Sequence, residues 1–123
     1  MSIKWINVNN NQLTVTLYDT NITLNKPASY YFESAYKVLV GMDVENRLVL
    51  IKHLNKEESL RGNIDKNNLL DLKIKPSYGR ISSKKVISEI ETTFELDFSE
   101  HQKFHAVWDT TSKMLKINLN EVI

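Results

Sequence analysis

The sequence predicts a β-rich α+β fold built from two similar β-α-β-β modules. Three observations carry this expectation. Apolar and polar residues alternate with a period of two in several short segments, the mark of half-buried strands. Helical spacing occurs in two short stretches, at Ala28, Tyr31, Phe32 and Ala35 and again at Val86, Ile87, Ile90 and Phe94. The order of these elements in the first half is repeated in the second.

Ile3 to Val8 reads as a strand with Trp5 on one face, and Asn9-Asn10-Asn11 as a turn, because Asn tolerates positive φ. Leu13, Val15 and Leu17 alternate with Thr14, Thr16 and Tyr18, so these two segments are expected to form a hairpin. Ile22–Leu24 is a short strand. Pro27 suits the first turn of a helix, where its missing N–H costs nothing. Tyr36–Met42 and Arg47–Lys52 are strands joined by the turn Asp43-Val44-Glu45-Asn46. Residues 53–71 are polar and read as a connector, linking a first module, 1–52, to a second, 72–123. Leu72–Lys75 is a strand stopped by Pro76, and Arg80–Ser82 is another. Ser82 or Ser83 is positioned to cap the helix that follows. Lys103–Trp108 and Met114–Leu119 close the chain as a hairpin across Asp109-Thr110-Thr111-Ser112.

Laid over each other, Ile22-Thr23 falls on Ile81-Ser82 and Lys26 on Lys85, at an offset of 59. Val40–Asp43 falls on Ala106–Asp109 at 66, and Leu48–Leu50 on Leu115–Ile117 at 67. The extra residues of the second half belong in or just after its helix.

With 41% apolar and 25% charged residues and a net charge of +1, the composition is that of a globular domain rather than a disordered or globally basic chain. The absence of cysteine excludes disulfides, thiolate metal sites and a cysteine nucleophile. The N-terminus, MSIKWINVNNNQL, has no apolar h-region, and no apolar run approaches the roughly 20 residues of a membrane span. A cytoplasmic protein without cofactors is expected.

Charge is distributed unevenly. From Leu72 to Ser88 there are five basic residues, Lys73, Lys75, Arg80, Lys84 and Lys85, and no acidic one. Clustered cations bind phosphate by displacing its counterions, and arginine can also read a guanine edge. The alternative is an ordinary solvated face. Lys84 and Lys85 fall in the first turn of a helix, where the dipole favours carboxylates, so helix stability does not explain them. The spacing His101-x-x-x-His105 would suit a helical zinc site, but residues 103–108 read as a strand and no third ligand stands nearby. Asp43 and Asp109 occupy matching turns, where Asp bonds backbone N–H groups. No P-loop, nucleophile elbow or dinucleotide-binding pattern is present, and enzymatic activity is not expected. The aromatics Trp5, Tyr30, Tyr31, Phe32, Phe94, Phe104 and Trp108 read as core or interface residues rather than base-stacking platforms.

Gly79-Arg80-Ile81, followed by serines, Lys84-Lys85 and then two strands, resembles the swapped-hairpin DNA-binding module of the AbrB family. Two such modules in one chain look like the MraZ group of that superfamily. The resemblance covers residues 13–52 and 72–119. It implies a small barrel-like fold of the swapped-hairpin or double-split-barrel type, in which hairpins of two modules interleave around one core. It also implies DNA binding as a dimer or larger oligomer and a role in transcription regulation. The family's DNA-contacting arginine falls on Arg80, with Lys84 and Lys85 beside it. The chain departs from the family pattern where an aliphatic residue and proline are usual, with Ser83-Lys84 in one half and Leu24-Asn25 in the other. It departs again early in each helix, with Ser88 and Ser29 in place of arginine. Asn21 stands where the first half would carry the key arginine, so that half is expected to keep the fold without the contact. A protein-interaction module that keeps the scaffold without binding DNA is the alternative.

Overall fold

The computed structural model describes residues 2–3 and 12–123. The expected turn Asn9–Asn11, and the expected strand Ile3–Val8 beyond Ile3 itself, lie outside them. The order of elements is β1 (Leu13–Leu17), β2 (Asn21–Asn25), α1 (Lys26–Tyr30), β3 (Lys37–Asp43), β4 (Leu48–Leu54), α2 (Lys56–Leu60), a 3₁₀ turn (Lys66–Asn68), β5 (Lys73–Ile74), β6 (Tyr78–Ser82), α3 (Lys84–Phe94), β7 (Gln102–Asp109) and β8 (Met114–Val122).

All eight strands form one antiparallel sheet, in the order β3-β4-β8-β7-β1-β2-β6-β5. Just ahead of β5, Leu70 exchanges backbone hydrogen bonds of 2.9 and 3.0 Å with Val38 of β3, so the two edges of the sheet meet at one point. The concave face holds the core. Val15, Leu17, Ile22 and Leu24 point into it from the first strands, and Ile81, Phe104, Leu115 and Ile117 from the later ones. Ile87, Ile90 and Phe94 of α3 lie on one helical face and complete it. Burying each such side chain stabilises the fold by about 1.5–3 kcal/mol relative to leaving it in water.

Sequence periodicity locates the strands but not all of their partners. β1 pairs with β2 on one side and β7 on the other. Both its edges are filled by these two strands. The connector is less linker-like than its composition implies. β4 runs on to Leu54, two residues past the expected module boundary. Asn55 and Glu58 then form a reciprocal capping box that starts α2. Helix α1 stops at Tyr30, short of Ala35, and Phe32 and Ala35 are placed by turns instead.

The two hairpin turns are built alike. Asp43 Oδ1 accepts the Asn46 N–H at 3.1 Å, and Asp109 Oδ1 accepts the Thr111 and Ser112 N–H groups at 3.0 and 3.3 Å. Each turn ends on a basic residue with φ of 55°, Arg47 in one and Lys113 in the other. These two carbonyls accept matching bonds across the hairpins, from Leu119 N–H to Arg47 and from His53 N–H to Lys113, both at 3.0 Å. Arg47 and Lys113, which hold the same place in the two turns, are 66 residues apart. The offset of 67 read from the sequence is therefore one residue too long for β4 and β8. It would set buried Val49 over Lys116, whereas 66 sets it over buried Leu115. A one-residue slip in a strand exchanges its two faces.

Exchanging β1 with β5, β2 with β6, β3 with β7 and β4 with β8 leaves the strand order around the sheet unchanged, taking the Val38–Leu70 bridge as the join between its edges. The helices differ most, with 5 residues in α1 and 11 in α3.

Both turn carboxylates titrate below the ordinary range. For Asp109 the leading cause is the Lys116 ammonium, 3.0 Å away, followed by the Ser112 N–H. For Asp43 it is the Asn46 side chain, then the Asn46 N–H. A carboxylate with a folded pKa below its unfolded value of about 3.9 contributes stability above that pH and loses it as pH falls through the folded value. The double substitution Asp43→Asn, Asp109→Asn is expected to lower the urea midpoint at pH 7. It should also flatten the decline in stability below about pH 4, as followed by urea unfolding between pH 7 and pH 2.5.

Candidate nucleic-acid interface

The pairing of β2 with β6 positions the basic segment. Ile22 lies opposite Ile81, with Asn21 opposite Ser82, Thr23 opposite Arg80 and Leu24 opposite Gly79. Alternation turns Ile22, Leu24, Gly79 and Ile81 inward, where all four are buried. Asn21, Thr23, Tyr78, Arg80 and Ser82 are thereby turned outward.

Gly79 is required by close packing. Helix α1 crosses behind it, and a Cβ built on Gly79 would stand 3.0 Å from Ser29 Cβ and 3.2 Å from Leu72 Cδ2. The glycine before the arginine thus lets α1 settle against β6 and fixes which face Arg80 occupies.

All five residues of the basic run are exposed. Lys73 of β5 is the cross-strand partner of Arg80, so the two stand side by side on the outer face. Lys75 sits in the tight turn into β6, where its N–H donates to the Tyr78 carbonyl at 2.8 Å. Lys84 and Lys85 open α3 at the other end of β6. Ser83 caps that helix, its Oγ accepting the Val86 N–H at 3.2 Å, and its own N–H donates to the Thr20 carbonyl in the β1–β2 turn. The five cations therefore do not form one tight cluster. They form a strip along β6, about 17 Å for a five-residue strand, with Arg80 near its middle. Lys85 borders the strip, since it also lines a cleft of ≈ 500 Å³ shared with Leu39, Gly41, Val86 and Glu89.

None of the five is paired with a carboxylate among the described residues. The ion pairs found there are Lys37–Asp71, Arg61–Glu57 and Lys116–Asp109. Asp71, the acid just ahead of the run in sequence, is already held by Lys37. The Arg80 guanidinium lies over the Tyr78 ring at 5.0 Å, a cation–π contact that orients it without neutralising it.

Sequence reasoning missed Thr23 and Lys103. Thr16 of β1 joins them, lying opposite both Thr23 and Lys103, so one cross-strand row runs Lys73, Arg80, Thr23, Thr16, Lys103. Alternation in each strand was visible beforehand, but the register that aligns them was not. Lys26, matched to Lys85 in the repeat, is exposed at the start of α1 behind its cap Asn25.

The remaining chemical candidates separate. The rings of His101 and Tyr18 pack 5.1 Å apart, while Gln12 Nε2 lies 2.7 Å from His105 Nδ1. Ser34 Oγ stands 3.2 Å from His53 Nε2, but His53 Nδ1 is buried without a partner, so no third group orients the imidazole as a general base requires. Phe32, Phe94 and Phe104 are core residues, whereas Tyr30 is 68% exposed. No helix among the described residues is long and apolar enough to cross a membrane.

Comparison with known proteins returns no matching family model, no matching curated protein and no matching solved structure.

Helix α3 carries its charge against its dipole. Lysines occupy the first turn, no acid stands there, and no basic residue stands in the last. Lys84→Glu is accordingly expected to raise Tm by roughly 2–4 °C in a thermal melt.

Proposed function

We propose that the chain is a DNA-binding transcription regulator of the swapped-hairpin type, working as a dimer or larger oligomer. The observation that carries this reading is the strip of exposed, unpaired cations along β6, with Arg80 between Lys75 at one end and Lys84 and Lys85 at the other. Cations retained without carboxylate partners, two of them against a helix dipole, serve an external anion better than they serve the fold. A twisted antiparallel surface of this kind can lie along a duplex, with lysines on phosphates and arginine on base edges. The unchanged strand order on exchange of the two modules supports an internal duplication and the interleaved hairpins of this fold type.

A second reading, a protein-assembly module, draws on a different surface. Tyr31 stacks on Trp108 at 4.7 Å with Tyr30 edge-on beside it, and Leu13, Pro27, Tyr30 and Tyr31 line a cleft of ≈ 430 Å³. Exposed aromatics next to a cleft suit a protein partner.

Fluorescence anisotropy on fragmented genomic DNA at 50 and 200 mM salt separates the two. DNA binding predicts an affinity that falls steeply with salt. Arg80→Ala should weaken it at least about tenfold, Lys73→Ala or Lys84→Ala should each lower the salt slope by about 1, and Lys26→Ala should act less. Absence of affinity at 50 mM salt would remove the DNA reading. A stable oligomer whose partner binding ignores Arg80→Ala would establish the second.

A further inference from the structure

The pairing that aligns the basic strip also places a second base-reading group beside Arg80. Ile22 and Ile81 are direct partners in β2·β6, and they are also the residues that the repeat superposes. A two-fold that carries the first module onto the second at the offset of 59 passes between them. Carried through it, Arg80 falls on Asn21, and each is the residue before its isoleucine. Both project from the outer face, one strand apart and two residues along. That diagonal separation is about 7–8 Å, close to two base-pair steps at about 3.4 Å each.

Asn21 is held ready for the same task with a different base. Its Oδ1 accepts the Thr23 hydroxyl at 2.7 Å, and its Nδ2 donates to Thr20 Oγ1 at 3.1 Å. A carboxamide has two donor hydrogens and two acceptor lone pairs, so one N–H and one lone pair remain. Those are the groups that a bidentate contact to adenine N7 and N6 requires, as arginine's fork matches guanine N7 and O6. The two internal bonds fix the plane of the amide, which reduces the entropy lost on binding. The residue that the family pattern would count as a lost contact is thus a preorganised one.

The surroundings are unequal in the same sense. At that offset Arg80 and Ser82 match Asn21 and Thr23, and beyond the strands the helix caps Ser83 and Asn25 are each followed by a lysine, Lys84 and Lys26. On the outer face of the two paired strands, Arg80 of β6 is cationic, whereas Asn21 and Thr23 of β2 are neutral and hydrogen-bonding.

We propose that each chain reads an asymmetric site in duplex DNA, with Arg80 on a guanine and Asn21 on an adenine about two base pairs away. This rests on the DNA-binding reading above and adds the bases and their spacing. It makes the recognition unit of one chain non-palindromic, so any palindrome in a target must come from pairing of chains.

The test is selection from a randomised duplex pool with the wild-type chain, Asn21→Ala and Asn21→Arg, followed by anisotropy on the enriched site and its single-base variants. Thermal melts of all three proteins show that each is folded. The expected wild-type site holds G and A at fixed spacing. Asn21→Ala should lose discrimination at the adenine position alone, by about 5- to 100-fold, with the salt slope unchanged. Asn21→Arg should replace A by a guanine, turning the site into a near-palindrome. If the wild-type chain selects a site and both variants select the same one, the inference is overturned while the DNA-binding reading stands. If the wild-type chain enriches no sequence and binds no duplex, both fall.

Discussion

The β2·β6 pairing is the constraint on which the remaining features of the interface depend. It joins the two halves of the chain at Ile22 and Ile81, both buried, and so ties the core to the outer face. Strand alternation does the rest. Once Ile81 points inward, Arg80 and Ser82 must point outward, and a slip of one residue would bury the guanidinium. Gly79 supports this register from behind, because α1 approaches it closely enough that a methyl group would stand only 3.0 Å from Ser29 Cβ. The same few residues therefore settle the packing of α1 and the direction of Arg80.

Much of this was legible in the sequence, and the failures have one cause. Alternation at Leu13–Leu17, Lys103–Trp108 and Met114–Leu119 located strands to within three residues at either end, because a half-buried strand cannot hide its period. Ser83 as a cap and Pro27 in a first turn were visible because capping is local chemistry. What could not be read was partnership. Period two says which residues share a face and nothing about which strand lies alongside, so the pairing of β1 with β2 and β7 was not legible. The β4·β8 offset failed similarly, since Leu48-Val49-Leu50-Ile51 is apolar throughout and masks its own alternation. The exposure of the five basic residues was predictable from their charge. Their spread into a strip, and the place of Asn21 within it, depended on register.

The two modules are most alike where the fold demands it and least alike where it does not. The Asp-led turns match in their capping bonds, in a basic residue at positive φ and in a cross-hairpin hydrogen bond. Left-handed φ at a non-glycine residue costs about 1–2 kcal/mol, and its occurrence at both Arg47 and Lys113 marks a turn geometry imposed by the strands rather than by the residue. On the outer face of β2·β6 the core sets no residue, and there the halves part company, arginine against asparagine.

That contrast bears on what two similar halves in one chain can do that two separate copies cannot. A symmetric dimer of identical chains presents every surface residue twice and can offer only a self-complementary face. When both modules lie in one chain, the inward residues still answer to a shared core while each outward residue varies alone. Arginine on one strand and asparagine at the related place on its neighbour are available only when both halves lie in one chain. Helix α3 adds to the difference. Its 11 residues bring Ile87, Ile90 and Phe94 into the core, whereas the 5-residue α1 buries only Ala28 and Ser29. The longer helix has packing stability to set against two lysines placed unfavourably at its start, and the shorter one does not. The basic strip therefore stands in the module whose helix is anchored strongly enough to carry it.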